Sequence, residues 1–277
     1  MGIYLMSNLT DLISAGGGGG SLPVNIVLTK SQTWVPPVDG NICIHVIGAG
    51  GGGASSASSG MSGAGAGGYC KKTSLAVTTS GSFTVVVGAG GLSAISADGG
   101  AGGNSTVAGT GLSSTLTANG GGGGVNGNST GAGGTASNGN VNNTGGAGTF
   151  WGAGAVGING TGNGGNQTRR RGGGDCDAMG PESLIGYGNI FGGRGSSAYG
   201  NSTNSPYYTP DGSPPVGEFL AGGGSYRITG SGTTGFIMGG MGGIGGGGGG
   251  CSNAQSGSFG IGGRGGDGIV IIQYLPA

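Results

Sequence analysis

Few residues in this chain could do chemistry. His45 is its one histidine, Glu182 and Glu218 are its two glutamates, and cysteines stand at 43, 70, 176 and 251. Two carboxyls on either side of a glycosidic bond can hydrolyse it, one as acid and the other as base or nucleophile. Glu182 and Glu218, with Asp175, Asp177 and Asp211, offer candidates for such a pair. All five fall in loop-like sequence, and sequence alone does not set their separation. His45 lies between Cys43 and Ile47 in an apolar run, which reads as a core histidine. The cysteines lack metal-ligand spacing. Cys43 and Cys70 both sit in strand-like sequence and could be neighbours; reduced thiols are the expected state if assembly is cytosolic. The expectation is a non-enzymatic protein without cofactor or metal.

Two motifs invite a ligand. Val46-Ile47-Gly48-Ala49-Gly50-Gly51-Gly52-Gly53 satisfies G-x-G-x-x-G after a strand, the dinucleotide fingerprint. A helix must follow it to receive a pyrophosphate, and Ala54–Gly68 has no helical period. The first acidic residue after the motif is Asp98, far beyond the expected ribose ligand. Gly262-Gly263-Arg264-Gly265-Gly266-Asp267-Gly268-Ile269-Val270 fits the calcium nonapeptide, but that motif works in tandem copies. Asp98–Val107 offers only a degenerate second. The sequons, at Asn8, Asn104, Asn128, Asn142, Asn159, Asn166 and Asn201, are expected by chance in an Asn- and Thr-rich chain.

What must position any such site is glycine: 82 of 277 residues. It recurs in doublets of period three, as in Asp98-Gly-Gly-Ala101-Gly-Gly-Asn104, Met238-Gly-Gly-Met241-Gly-Gly-Ile244 and Ile261-Gly-Gly-Arg264-Gly-Gly-Asp267, with a shorter copy at Phe191-Gly-Gly-Arg194. Period three is neither a helix's nor a strand's; it is that of the extended left-handed polyproline-II helix. Prolines number nine, and two glycines fill each triplet, so this is not collagen. The pattern predicts polyglycine-II, extended glycine helices lying side by side. Ordering glycine costs more backbone entropy than ordering any other residue, so close backbone contact must replace side-chain packing. An ice-binding surface would need a flat, regular Thr or Ala face, which these irregular triplets do not supply.

Strand signals flank the glycine. Asn25–Val35 reads as a strand ending at Pro36-Pro37. Ile42–Ile47 and Ile269–Tyr274 are apolar on both faces and read as buried central strands. Tyr69–Val77 and Phe83–Val87, joined by a turn containing Gly81, read as a β-hairpin. Ser105–Ala108 and Ser114–Ala118 are shorter candidates. No amphipathic helix is legible. The predicted class is all-β: a β-sandwich of N-terminal strands plus a C-terminal strand, with a packed polyglycine-II layer and essentially no α-helix. Its expected parts are an attachment peg and glycine hinge (1–22), a β-rich part (23–124), a polyglycine-II scaffold with variable loops (125–260) and a closing strand (261–277). Apolar strands on both faces suggest a homotrimer; a monomer could instead cover one face with the glycine layer.

Nine basic and nine acidic residues cancel, which argues against a nucleic-acid binder working by phosphate neutralisation. Arg169-Arg170-Arg171 reads as a solvated loop. No apolar run approaches the length of a membrane span, and no secretory signal is legible, the first lysine being Lys30. Aromatics cluster in the second half. Trp151, Phe191 and Phe236 read as gap fillers. Tyr207-Tyr208, between prolines and polar residues, reads as an exposed contact.

Thr33-Trp34-Val35-Pro36, Ile44-x-Val46-x-Gly48-Ala49-Gly50-Gly51-Gly52, Gly65-Ala66-Gly67-Gly68-Tyr69 and Phe83-Thr84-Val85-Val86-Val87-Gly88-Ala89-Gly90-Gly91 resemble the glycine-rich domain of bacteriophage tail-fibre and receptor-binding proteins. Gly102-Gly103-Asn104-Ser105, Thr117-Ala118-Asn119-Gly120-Gly121 and Gly266-Asp267-Gly268-Ile269-Val270-Ile271-Ile272 continue the match, which covers roughly 30–124 and 239–275. The middle resembles fibre-tip adhesins whose polyglycine-II helices hold up variable loops. The resemblance implies a virion protein, assembled in the host cytoplasm and released by lysis, that binds a host surface glycan or outer-membrane protein without catalysis. The expected receptor contacts are Tyr187, Arg170, Asn204, Tyr207, Tyr208 and Asp211. The expected contacts to other tail or baseplate proteins are Tyr4, Leu5, Leu9, Leu12 and Ile13. Alternatives are a structural decoration or connector protein of the capsid or tail, and a glycan depolymerase.

Overall fold

The structure, a computed structural model, describes residues 25–56, 62–126, 129–149, 153–165, 220–223, 226–228, 236–253 and 259–276. These residues contain no α-helix. Two five-stranded antiparallel sheets face each other. The first has the order β1 (Asn25–Leu28), β15 (Ile269–Tyr274), β3 (Gly40–Ile47), β5 (Tyr69–Val77), β10 (Val141–Asn143). The second runs β2 (Gln32–Trp34), β6 (Phe83–Val86), β7 (Ser105–Gly109), β8 (Leu116–Ala118), β9 (Ala136–Ser137). Two small parallel ladders complete the set: β11 (Tyr226–Ile228) and β4 (Ser55–Ser56) flank β13 (Cys251–Asn253), and β12 (Phe236–Met238) pairs with β14 (Phe259–Ile261).

Alternation builds the sandwich core. Ile42, Ile44 and Val46 of β3, Val270 and Ile272 of β15, and Leu75 and Val77 of β5 point inward. They meet Phe83, Val85, Val107, Leu116 and Ala118 of the second sheet. Trp34 packs against Phe83 with ring centroids 5.4 Å apart. As their composition predicts, β3 and β15 are central strands. Their other face is apolar as well: Ile47, Ile269 and Ile271 pack with Tyr69, Val156 and Leu220. Both faces are thus covered within one chain, so they do not by themselves call for a second copy.

Two expected elements differ. The predicted strand 25–35 is two strands in different sheets, β1 paired to β15 and β2 paired to β6. A straight strand would place Lys30 on the same inward face as Leu28. Crossing between sheets at 29–31 keeps that ammonium exposed and spares its desolvation. Nor do β5 and β6 form a hairpin: β5 pairs with β3 and β10, β6 with β2 and β7. The turn at 78–81, closed by Gly81 N–H donating to Thr78 O at 2.8 Å, carries the chain across the sandwich. Val77 and Phe83 therefore enter one shared core from opposite sheets.

Beyond the sheets the glycine runs form the expected lattice. Run 48–53 donates its amides in strict rotation. Gly48 and Gly51 bond Gly68 O and Gly65 O, Ala49 and Gly52 bond Gly103 O and Gly100 O, and Gly50 and Gly53 bond Gly266 O and Gly263 O, all within 2.8–3.1 Å. Its carbonyls accept from Gly121 and Gly124, from Gly248 and from Gly91, and Ala54 O just after it accepts from Cys251. Bonds to one neighbour recur every third residue, which is the threefold screw of polyglycine-II. Run 63–68 behaves alike, donating in turn to Thr149 and Gly146, to Gly248 and Gly245, and to Gly122 and Asn119. Interior methyls occur at Ala49, Ala64, Ala66, Ala153, Ala155 and Ala221, all fully buried. Side chains on outer runs point out: Ala132, Ala147, Arg264 and Asp267 are exposed between buried or half-buried glycines. Gly245 is needed for a second reason, its φ of +71°.

A methyl at Gly50 would fall onto the Gly246 carbonyl oxygen, whereas one at Gly160 meets nothing within 4 Å. Gly50→Ala should therefore lower unfolding free energy by about 3 kcal/mol or more. Gly160→Ala should leave it unchanged or raise it by up to about 1 kcal/mol. Urea midpoints of the two variants check this; equal midpoints would show that the lattice tolerates side chains.

Candidate functional site

Among the described residues, the groups best suited to chemistry meet on the face of β3 and β5 turned away from the sandwich core. Register places His45 opposite Lys71 and Ile47 opposite Tyr69. His45 Nδ1 lies 2.7 Å from the Tyr69 hydroxyl, and His45 Nε2 lies 3.4 Å from Cys43 Sγ. Thiol, imidazole and phenol thus form a chain resembling nucleophile, base and orienting group. Electrostatics deny it that use. Burial, with the Lys71 charge adding a smaller push, lowers the His45 pKa to about 3. Burial also raises the Cys43 thiol above its ordinary value, against a lesser pull from Lys71. A nucleophilic thiolate needs the reverse of both shifts. Cys43 is 3% exposed and His45 1%, so no substrate reaches them. His45 is the core histidine its surroundings predict: each ring nitrogen of the neutral imidazole faces a group able to donate or accept.

The other sequence motifs are likewise taken up by the lattice. Every amide from Gly48 to Gly53 donates to a protein carbonyl, which leaves none for a pyrophosphate. In the calcium-like nonapeptide, Asp267 Oδ1 accepts from Gly90 N at 2.7 Å and from Arg264 Nη2 at 2.8 Å. That carboxylate pins one lattice run to another. No group of three or more His, Cys, Asp or Glu side chains able to hold a metal occurs among the described residues. Nor, among them, is any helix long and apolar enough to cross a membrane. Among the described residues, Cys43, Cys70 and Cys251 are buried thiols outside any disulfide. Burial pushes the Cys70 thiol up to about 11 and that of Cys251 to about 12.

The expected receptor contacts Arg170, Tyr187, Asn204, Tyr207, Tyr208 and Asp211 lie outside the described residues, as do Tyr4, Leu5, Leu9, Leu12 and Ile13. The carboxylates Asp175, Asp177, Glu182 and Glu218 lie outside them too. The anchors of the segment 166–219 are described. Gly165 O accepts from Thr149 Oγ1 at 3.1 Å, and Leu220 O accepts from Val156 N at 2.9 Å. One surface escaped the sequence reading. The outer face of the second sheet aligns Thr33, Thr84 and Ala108 in one cross-strand row, and Val86, Thr106, Thr117 and Ser137 in the next. These rows carry hydroxyls and no charge. Their signal was the alternation of Thr with Val85, Val107 and Leu116. Sheet twist of roughly 20–25° per strand keeps the rows from forming the plane an ice surface requires.

Taken together, these features define an all-β protein in which a backbone lattice is clamped by two sheets. The model of the glycine-rich domain family matches residues 26–275, and the chain belongs to that family. A search of curated proteins finds no match.

Two measurements test the buried cluster. The folded chain holds His45 neutral down to about pH 3, whereas an unfolded imidazole protonates near pH 6.5. The unfolded state therefore binds the extra proton between those values. Stability is full above pH 6.5 and falls as pH drops, by about 2 kcal/mol at pH 5. Urea titrations at pH 7.5 and 5 should show that loss, and His45→Gln should flatten it. Separately, a thiol reagent at pH 8 should label none of Cys43, Cys70 and Cys251 until the chain is unfolded; labelling in the native state would contradict their burial.

Proposed function

We propose that this chain is a virion protein of a bacterial virus, a tail fibre or fibre-tip adhesin that binds a host surface glycan or outer-membrane protein through loops borne on the lattice. The observation that carries the reading is a division of labour. Backbone hydrogen bonds use up the amides of run 48–53, and the lattice interior holds glycine and alanine. Contact chemistry is concentrated elsewhere. Segment 166–219 contains Tyr187, Tyr199, Tyr207 and Tyr208, half of the eight tyrosines. It also contains Arg169, Arg170, Arg171 and Arg194 with Asp175, Asp177, Glu182, Asp211 and Glu218, half of the charged side chains. Tyrosine and arginine are favoured at contact hot spots, and recognition is commonly placed on loops held by a rigid frame.

On this reading weak contacts by single loops are multiplied by copies on the particle, a homotrimer being the simplest such arrangement. Residues 1–22, with Tyr4, Leu5, Leu9, Leu12 and Ile13, serve as the attachment peg to the tail or baseplate. The protein acts as part of the virion and does no catalysis.

Deletion of 201–215, and separately Tyr207→Ala with Tyr208→Ala, tests the proposal. Adsorption of particles to host cells should fall while particle yield and heat resistance hold. Unchanged adsorption with fragile particles points instead to a decoration or connector role. Release of reducing sugar from host polysaccharide, lost in Glu182→Gln or Glu218→Gln, points to a depolymerase.

A further inference from the structure

One face of the lattice continues the outer face of the second sheet. Runs 98–104, 119–124 and 131–135 join β7, β8 and β9 directly and lie side by side. Gly99 and Gly102 amides donate to Gly124 O and Gly121 O, and Asn119 and Gly122 amides donate to Thr135 O and Ala132 O. Beneath the middle run, Gly121 and Gly124 donate to Ala49 O and Gly52 O, while Gly65 and Gly68 donate to Gly122 O and Asn119 O. These bonds use the amide and the carbonyl of residues 119, 121, 122 and 124. Gly120 and Gly123 are left to face outward.

Side chains of run 98–104 close over this outward row at both ends. Gly120 N–H donates to Asn104 Oδ1 at 2.9 Å, and Asn126 N–H donates to Asp98 Oδ1. The same register sets Ala101 opposite Gly123, midway between them. Alanine has no acceptor, and Gly123 N–H and C=O have no partner among the described residues. In packing, Gly123 otherwise repeats Gly120: methyls on the two would fall on the Gly99 and Gly102 carbonyl oxygens. Gly123 is half-buried between the exposed Ala101 and Ala132, and the longer side chains of Asp98, Asn126, Asn104 and Thr135 stand exposed at the two ends. We propose that this shallow cradle is a binding subsite for a neutral oligosaccharide.

A sugar hydroxyl both donates and accepts. One hydroxyl can accept from Gly123 N–H while its neighbour donates to Gly123 O. At the ends, Asp98 Oδ2 and Asn104 Nδ2 have no partner among the described residues, and they supply an acceptor and a donor. The Ala101 and Ala132 methyls beside the open amide suit the C–H face of a sugar ring. From Asp98 to Asn104 is two steps of three residues, about 19 Å at the rise of this helix, so a short chain can lie along the run. The cradle holds one carboxylate and no cation, which admits a neutral chain and repels an acidic one. It also lacks the aromatic or arginine anchor on which protein partners depend. Past Asn104, the hydroxyls of Thr106, Thr117 and Ser137 prolong the same face. The site is separate from segment 166–219 and does not rest on the virion reading.

The test is amide hydrogen exchange and amide NMR on the full-length protein. Without sugar, the Gly123 amide should exchange at least about a hundredfold faster than those of Gly121, Gly122 and Gly124. At least one of cellohexaose, maltohexaose and mannohexaose should shift the Gly123 resonance and slow its exchange, with a Kd on the order of 1 mM; oligogalacturonate should do neither. Ala101→Asn should cap Gly123 as Asn104 caps Gly120. It should slow Gly123 exchange without sugar, leave the urea midpoint unchanged or higher, and abolish the sugar shift. Ala101→Gln, long enough to cover the same floor, is the second closing variant. A Gly123 amide protected like its neighbours overturns the inference. So does the lack of a shift with all three neutral sugars, or a shift that survives both substitutions. Purified protein and soluble sugars are used, so failure here leaves the adsorption experiments to decide the adhesin reading.

Discussion

The structure depends on how closely one bare main chain can approach another. An added Cβ at Gly50, Gly53, Gly65 or Gly266 would coincide with a neighbouring carbonyl oxygen. The direction of a missing Cβ is that of one glycine Hα. Each such overlap therefore marks a carbonyl lying along a Cα–H bond. Every lattice residue of this kind has two donors in use, the amide N–H and a Cα–H. The second kind of contact is worth about 0.5–1 kcal/mol, comparable to the net value of the first. Repeated over many glycines, these contacts offset the entropy that glycine loses on folding. Removing the side chains is what permits both donors to be used at once, so the composition is the cohesive device itself.

A lattice held by backbone contacts has no side-chain shape to fix its register. The sheets supply that. β3 runs into the lattice at Gly48, β5 leaves it at Gly68, and β15 follows directly on Gly268. In the second sheet β6 leads into Gly88, β7 emerges from Gly103, and β8 leads into Asn119. Cross-strand pairing sets where each run enters, and alternation of Ile, Val and Phe sets the pairing. A slip of one residue would turn Ile42, Ile44 and Val46 out of the core and also rotate run 48–53 by a third of a turn. One register thus governs both the hydrophobic core and the amide rotation.

What was legible in the sequence follows from this. Period three announced the polyglycine-II helices because the threefold screw is local. Apolar composition on both faces announced β3 and β15 as central strands. Partner choice was not legible. A turn with Gly81 between two apolar runs fits a hairpin equally well, and only the shared core of Val77 and Phe83 shows that the chain crosses instead. Lys30 carried the information that strand 25–35 must break, since a straight strand would turn its ammonium toward the apolar sandwich core around Leu28. The chemistry of Cys43, His45 and Tyr69 was legible only in part. Composition gave a buried histidine, but its hydroxyl partner is 24 residues away and is brought to it by the β3–β5 register.

The same physics bears on where function can reside. A glycine packed like Gly50 or Gly65 cannot acquire even a methyl without displacing a carbonyl, so contact chemistry cannot arise there by substitution. It can arise where the chain leaves the lattice and returns to it. The two residues that bound segment 166–219 are tied to the lattice: Gly165 O accepts from the Thr149 hydroxyl and Leu220 O from the Val156 amide. The amides of runs 48–53 and 63–68 all donate to carbonyls outside that segment. On the proposed function, a frame of this kind would separate the part that must not vary from the part that meets the receptor.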